Sequence, residues 1–381
     1  MKILHLMLSN FFIDGVSYQE NILPRQNFKD GHDVKIIAST ETYIQPNKLG
    51  YVKPSKYTNK DGMEITRIPY RRIFPHFLMI KIRSYPNVYE MIEQFEPDVI
   101  LHHGVPSYEL LTIAKYKKNH LNIKLYLDSH EDFHNSARSF ISREVLHRRF
   151  YGPIVRKALP YVDKILCGST ECFDFLETLY KVPIEKMEFY PLGGIVFSEE
   201  ERLSRRKKIR QIIGLDNKDI LMVHTGKMQK EKRTEELLQA FTQVKNKKFK
   251  LFLIGVFSDD VKLAVEPIIA ADSRIKYIGW KDSEEVFDYL CAADMYLQPG
   301  SQSATMQNAI CCGCPVMLYP YKSHKPYLKG NGFYVETVED MLNAFQDIDK
   351  NPEKLKKMSG ASYKIAYELL DYRKLAARLY E

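Results

Sequence analysis

The chain has 381 residues, 45% of them hydrophobic and 27% charged, and a formal charge of +8. That length exceeds the usual single domain, and the apolar share is enough for two cores. No run of about 18 apolar residues exists to cross a bilayer; the six scattered Cys do not make a disulfide framework; and no zinc-finger spacing or other nucleic-acid motif accompanies the positive charge.

The N-terminus, "MKILHLMLSNFF", is apolar like a signal segment, but it has no small-residue cleavage site. Polar Ser9, Asn10 and Asp14 follow at once. It reads as the first buried strand of a cytoplasmic protein. "KILHLML" leads to an amphipathic stretch, "QENILPRQNFKDGH", and then to "DVKIIAS". Between Tyr70 and Tyr85, "YRRIFPHFLMIKIRSY" interleaves Phe74, Phe77, Leu78 and Met79 with basic residues. Such a stretch suits contact with an anionic membrane surface. "PDVILHH", "SYELLTIAKYKKN" and "IKLYLDSH" follow, then "VDKILCGS", "TECFDFLETLYKV" and "MEFYPLG". Apolar strands with little alternation, each followed by a helical pattern, are βαβ units of a parallel sheet covered on both faces.

Ser198 to Lys218 is charged and has no strand signal. Its "RLSRRKKIR" cluster (Arg202 to Arg210) reads either as a phosphate-attracting patch or as a solvated helix face. The domain boundary is placed here. The pattern then restarts with "DILMVHTG", "RTEELLQAFTQVKNK" and "FKLFLIGV", and continues through "IKYIGW", "SEEVFDYLCAAD", "MYLQPG", "CPVMLYP" and "GFYVET". The expected fold is α/β, with two doubly wound Rossmann-like domains, residues 1–197 and 198–364, facing across a cleft. The helical tail, residues 365–381, is expected to return to the first domain. In open α/β sheets ligands sit beyond the carboxyl ends of strands. Candidate residues are therefore those just after strands: the loop from Ser9 to Gly15, Gly104 and Pro106, His130, Gly193 and Gly194, Gly226 and Lys227, and Gly300 and Ser301.

The second half resembles the family 4 glycosyltransferases. The resemblance is carried by "VHTGKMQKEKRTEELLQAF", "IKYIGWKDSEEVFDYLCAADMYLQPG" and "QNAICCGCPVML". The first half fits more loosely, through "DGVSYQEN", "PDVILHH", "LDSHEDF" and "EKMEFYPLGG". The resemblance implies a GT-B fold and retaining transfer of a sugar from a nucleotide-activated donor. It makes Lys227 and Lys232 the basic pair for the diphosphate, and it places His130 beside the donor sugar and acceptor. The family's two glutamates, eight positions apart, fall at Gly300 and Asn308, so this chain lacks both.

The chemistry of these residues is consistent with that role. Fixed cations after a strand stabilise the charge that develops on a leaving diphosphate. An imidazole at a strand end hydrogen-bonds a sugar or steadies developing charge. Gly15 and Gly226 allow close backbone approach. "GSQSATMQN" offers Gly300, Ser301, Gln302, Ser303, Ala304 and Thr305 to a pyrophosphate or sugar, and Asn308 to ribose hydroxyls. No Asp-x-Asp metal motif stands in the usual setting, so no metal and no cofactor are expected beyond the nucleotide sugar.

The function expected is a metal-independent retaining hexosyltransferase. It would use a UDP-sugar for preference and a glycan or lipid-linked acceptor, at the inner face of the membrane, in surface polysaccharide or glycolipid assembly. A catalytically silent GT-B binding subunit and a sugar-nucleotide epimerase stay open. Cys311, Cys312 and Cys314 are expected to be buried small residues at the end of the donor-site helix, which Gly313 stops in the left-handed region.

Overall fold

The computed structural model describes residues 1–15, 18–45 and 48–381; Val16 and Ser17 of the first loop lie outside the described residues. The chain divides into two units, Met1–Pro191 with Tyr372–Glu381, and Leu192–Asp371.

The first unit carries β1 (Lys2–Met7), β2 (Asp33–Ser39), β3 (Glu41–Gln45), β4 (Lys48–Tyr51), β5 (Ser55–Thr58), β6 (Glu64–Ile68), β7 (Val99–His103), β8 (Lys124–Ser129), β9 (Lys164–Cys167) and β10 (Met187–Phe189). Eight of these form one sheet in the order β10-β9-β8-β7-β1-β2-β6-β5. All neighbours are parallel except β5 and β6, and β3 and β4 pair separately as an antiparallel ribbon. The stretch from β3 to β6 has no apolar run long enough to announce itself, and its strands are absent from the sequence-based expectation.

Period-two alternation sends successive side chains of a strand to opposite faces. Leu4, Leu6, Ile100, Leu125 and Leu127 join one core. Ile3, Met7, Val99 and Leu101 join the other, with Tyr372, Leu375 and Leu379 of the tail. Of the expected tail, Tyr372–Glu381 packs within the first unit, while residues 365–371 stay with the second. Tyr190 donates from its hydroxyl to the Leu375 carbonyl, and Arg378 pairs with Glu188. Its helical pattern is not continuous, because a wide turn, Ala366–Leu370, ends at an extended Asp371 before the helix Tyr372–Ala377 begins.

The second unit carries β11 (Ile220–Met228), β12 (Phe249–Phe257), β13 (Ile275–Gly279), β14 (Met295–Gln298), β15 (Val316–Leu318) and β16 (Gly332–Tyr334). They form a wholly parallel sheet in the order β13-β12-β11-β14-β15-β16. The charged stretch taken for the boundary is a 14-residue helix, Glu199–Ile212, whose cap Ser198 accepts a hydrogen bond from the Glu201 amide at 3.2 Å. Its arginines are committed within this unit: Arg205 to Asp288 at 2.7 Å, and Arg206 and Arg210 to Asp294 at 2.6 and 3.1 Å. These three arginines are thus a structural clamp, while Lys207 and Lys208 of the same cluster are exposed. Among the described residues no helix is long and apolar enough to cross a membrane.

Leu375 is buried in the second core of the first unit. Leu375→Ala is expected to cost about 2–5 kcal/mol by lost contact and residual cavity. A shift of the urea midpoint would report this loss; an unchanged midpoint would show that the tail does not contribute to that core.

Candidate functional site

Where chain order reverses in an open parallel sheet, the loops leaving neighbouring strands part and open a crevice. In the second unit that reversal falls between β11 and β14, because β12 and β13 lie on one side and β15 and β16 on the other. The expected donor residues gather there. Lys227 is exposed at the end of β11, and Lys232 closes the short turn Lys230–Lys232 that follows. Gly300 and Ser301 follow β14.

Three glycines let these pieces meet. Gly226 has φ 122°, and a Cβ there would lie 3.4 Å from Lys232 Cε and 3.6 Å from Nζ. A Cβ on Gly300 would stand 2.2 Å from the Glu231 carbonyl oxygen and 2.6 Å from the Lys232 carbonyl carbon. A Cβ on Gly255 would stand 1.9 Å from the Gly226 carbonyl oxygen. The turn is pinned further by Ser301, whose amide donates to the Glu231 carbonyl at 2.7 Å. His224 ties the two strands together: its Nδ1 donates to the Leu297 carbonyl at 2.8 Å, and its Nε2 accepts from the Thr234 hydroxyl at 3.0 Å. Burial holds this imidazole neutral, lowering its pKa to about 4.

Within this frame Lys232 is 7% exposed, and its ammonium makes no hydrogen bond or ion pair among the described residues. Burial alone lowers its pKa to about 8. The charged form of a buried ammonium is costly until an anion joins it. The next residue, Arg233, sits at φ 57° and spends its guanidinium on the Glu336 carbonyl at 2.7 Å.

The "GSQSATMQN" run is less open than its composition suggests. The Ser301 amide is taken by Glu231, and Gln302 donates from its side-chain amide to Ser323 Oγ at 2.7 Å. Ser303 Oγ accepts from the Thr305 amide at 3.3 Å and donates to Thr305 Oγ1 at 3.2 Å. Ala304 is exposed just before the helix Thr305–Cys311. Asn308, on that helix, is half-buried, and its Oδ1 would lie 3.0 Å from a Cβ on Gly194. The neighbouring Gln307 accepts from the Gly193 amide at 3.0 Å. The cysteines are all free and buried, Cys314 donates to the Leu290 carbonyl at 3.0 Å, and Gly313 has φ 74°. Burial pushes the Cys311 and Cys314 thiols well up, which keeps them unreactive.

In the first unit the order reverses between β1 and β7. Gly15 lies in an exposed turn at φ 80° with nothing nearer to a Cβ than Lys60 Nζ at 3.8 Å. His102 and His103 follow no crevice: both are fully buried within the sheet. His103 instead belongs to a polar chain laid across three strands and one helix. Asn27 Oδ1 meets His5 Nε2 at 3.0 Å, and His5 Nδ1 meets His103 Nε2 at 3.0 Å. His103 Nδ1 reaches Asp128 Oδ2 at 2.6 Å, and Asp128 Oδ2 lies 3.8 Å from Nε2 of His130. The Gly104 amide donates to the other Asp128 oxygen at 2.6 Å.

Burial opposes charge on His130, yet attraction to the Asp128 carboxylate 3.8 Å away prevails, raising its pKa to about 9. Burial and His103 together push His5 down to about 3. His130 is thus the charged, 30%-exposed end of a chain whose other members are buried. The signal for Asp128 was present in "LDSH": residues two apart on a strand share a face. His5 and His103 sit within apolar strands, and only the strand order brings them together.

A raised pKa means His130 favours the folded state fully below its ordinary value of 6.5, and that support is lost as pH rises through about 9. In Asp128→Asn the His130 C2–H resonance is expected to titrate well below about 9. An unchanged titration would show that Asp128 does not set the charge of this ring.

With this geometry in hand, the chain matches two family models: Glycosyltransferase Family 4 over residues 28–193, and Glycosyl transferases group 1 over residues 205–365. No curated protein matches the sequence. Among solved structures, sucrose-phosphate synthase from Thermosynechococcus elongatus is similar at 14% identity and TM-score 0.65, covering 99% of this chain and 97% of that one. HepE from Anabaena in complex with UDP is similar at 14% identity and TM-score 0.65, covering 99% and 98%. WaaG, a glycosyltransferase involved in lipopolysaccharide biosynthesis, is similar at 14% identity and TM-score 0.62, covering 99% of both. The chain belongs to the family 4 type of glycosyltransferases, with the GT-B fold of two Rossmann-like domains.

Proposed function

We propose that the protein is a retaining hexosyltransferase that takes its sugar from a nucleotide diphosphate donor, UDP-sugar for preference, and needs no metal. The observation that carries this reading is Lys232, a buried ammonium without a counter-anion among the described residues, at the strand-order reversal of the second sheet. A donor diphosphate supplies that anion. As the bond from C1 of the sugar to the phosphate oxygen breaks, negative charge grows on the leaving diphosphate, and Lys232 with Lys227 stabilises it. The acceptor oxygen forms the new bond to C1 on the same face, and its proton passes to the leaving phosphate. His130, held as a cation by Asp128, is a hydrogen-bond donor for a sugar hydroxyl at the strand ends of the first unit.

The choice of UDP is supported by HepE from Anabaena, whose structures include complexes with UDP and with UDP-glucose. The acceptor is proposed to be a glycan or lipid-linked saccharide of surface polysaccharide or glycolipid assembly, as the lipopolysaccharide role of WaaG suggests. The helix His76–Ile82 favours a lipid-linked one. Phe77 is 66% exposed, with Ile73, Phe74 and Leu78 exposed beside it and Arg71, Arg72 and Lys81 around them, while Met79 turns into the core. Apolar residues ringed by cations suit the inner, anionic face of a cytoplasmic membrane.

Lys232→Gln is expected to lower kcat/KM with the responsive UDP-sugar by about 100- to 1,000-fold, the loss typical of one removed charge-stabilising donor. Wild-type activity is expected to survive EDTA. Retention of full activity by the variant would sink the reading. The pH behaviour follows from the same ammonium. Its pKa is lowered to about 8, so it must regain a proton to hold a diphosphate above that pH. UDP affinity is therefore expected to fall as pH rises through about 8, whereas folding stability gains over that range because the unfolded chain holds the proton more tightly. Calorimetric titration of UDP across pH checks the first; a flat profile would contradict it.

Phe74→Asp with Phe77→Asp is expected to abolish sedimentation with vesicles containing phosphatidylglycerol, leaving turnover of a soluble acceptor intact. Undiminished vesicle binding would remove the membrane role of this helix.

A further inference from the structure

A cavity of about 730 Å³ lies within the first unit, inside the range of small-molecule sites. Ser9 and Asn10 after β1, Pro106 after β7 and Glu131 after β8 line its floor, so it opens at the carboxyl ends of the strands where chain order reverses. Its walls come from elements no motif announced. Lys81 and Arg83 end the short helix, the loop 135–139 supplies Arg138, and an 11-residue wide helix, Ile141–Tyr151, supplies His147 and Tyr151. Helices of this wide type are uncommon and collect at functional sites.

Three cations, Lys81, Arg83 and Arg138, line this cavity against one carboxylate, Glu131. None of the three makes an ion pair among the described residues. Glu131 accepts from Ser129 Oγ at 2.7 Å. Arg83 is held in place by its backbone and by one nitrogen only. It sits at φ 56°, and Nη1 donates to the Pro106 carbonyl at 2.9 Å and reaches Ser9 Oγ at 3.4 Å. Nε and Nη2 have no partner among the described residues, which leaves an edge of the fork for two oxygens of one acid group. Ala137, between Arg138 and the serine hydroxyl of Ser136, is also left-handed at φ 53°. Two non-glycine residues held in that region at one cavity are the kind of local strain that sites retain. His147 adds no charge: burial, and then Arg83, lowers its pKa to about 4, and Nδ1 bonds the Tyr180 hydroxyl at 2.6 Å.

From this lining we infer that the first unit binds an acidic acceptor, a saccharide bearing a phosphoryl or carboxylate group, with that group on Arg83 and Arg138. This rests on the transferase reading for the word acceptor, but the cavity and its cations stand without it. An oxyanion on the open edge of Arg83 would make two parallel charge-assisted bonds. Arg138 and Lys81 would neutralise the rest, and the serine hydroxyls and Glu131 are left to the sugar.

The test uses the full-length protein and three probes: glucose 6-phosphate, glucuronic acid and glucose, each by saturation-transfer NMR and calorimetric titration, with UDP titrated in parallel. One or both acids are expected to bind at least 10-fold more tightly than glucose; which of them does so separates a phosphoryl from a carboxylate acceptor. Arg138→Gln, on an exposed side chain, and Arg83→Gln are each expected to remove at least 10-fold of that preference while UDP binding stays unchanged. Equal binding of all three sugars would overturn the inference. So would acid binding that survives Arg138→Gln, or that is lost in Lys232→Gln instead, since the acid would then occupy the diphosphate site. Failure of the wild type to bind UDP would count against the donor reading alone, because the preference of this cavity for acids does not depend on it.

Discussion

One uncompensated charge organises the second unit. An ammonium taken out of water without a partner costs several kcal/mol, and folding tolerates it only where the rest of the structure holds it in place. Around Lys232 that support is backbone. The side chain runs over Gly226, where a φ of 122° would strain any other residue, and the turn that carries it lies against the main chain of Gly300. Gly255 in turn lies against Gly226. The backbone contacts at Gly300 and Gly255 fix the turn, and the Lys232 side chain leaves it over the bare face of Gly226. A diphosphate arriving at such a site removes a penalty already present in the free protein, and preorganised charge of this kind is what acyl and phosphoryl transfer sites use.

The first unit solves the opposite problem. Its buried polar groups are linked to one another from Asn27 through His5, His103 and Asp128. Coupling along this network is electrostatic as much as hydrogen-bonded, and Asn27 Nδ2 at its far end has no hydrogen-bond partner among the described residues. Burial works against charge on Asp128, yet His103 and then His130 hold its carboxylate ionised far below the ordinary range. The charge this leaves at the surface is that of His130, so the first sheet presents a cation where its strands end. One unit keeps a charge in want of an anion, and the other manufactures one from a paired interior.

Much of this was legible in the sequence because strand-end positions are periodic signals. "DVKIIAS" and "VILHH" coincide with β2 and β7, and "DILMVHTG" falls on β11, which runs on through Lys227 to Met228. What escaped has identifiable reasons. The clamp of Arg205, Arg206 and Arg210 looked like free positive charge because its acids, Asp288 and Asp294, lie some 80 residues on. The His5–His103 contact spans 98 residues and depends on strand order. The wide helix Ile141–Tyr151 breaks the 3.6-residue period on which helix reading rests, so its His147 and Tyr151 fell in a stretch without assignment. The serines after β14 looked like open hydroxyls, and the structure ties several of them to one another and to the turn.

One of the two missing glutamates acquires a physical account at Gly300. A carboxylate side chain there has no room, since its Cβ alone would stand 2.2 Å from the Glu231 carbonyl oxygen. A side chain there would displace the turn Lys230–Lys232 that carries the buried ammonium, whose pKa burial lowers to about 8. Absence of a side chain at this position and the place of the turn are therefore one arrangement: the glycine is what lets the main chain of Glu231 and Lys232 close on the exit of β14.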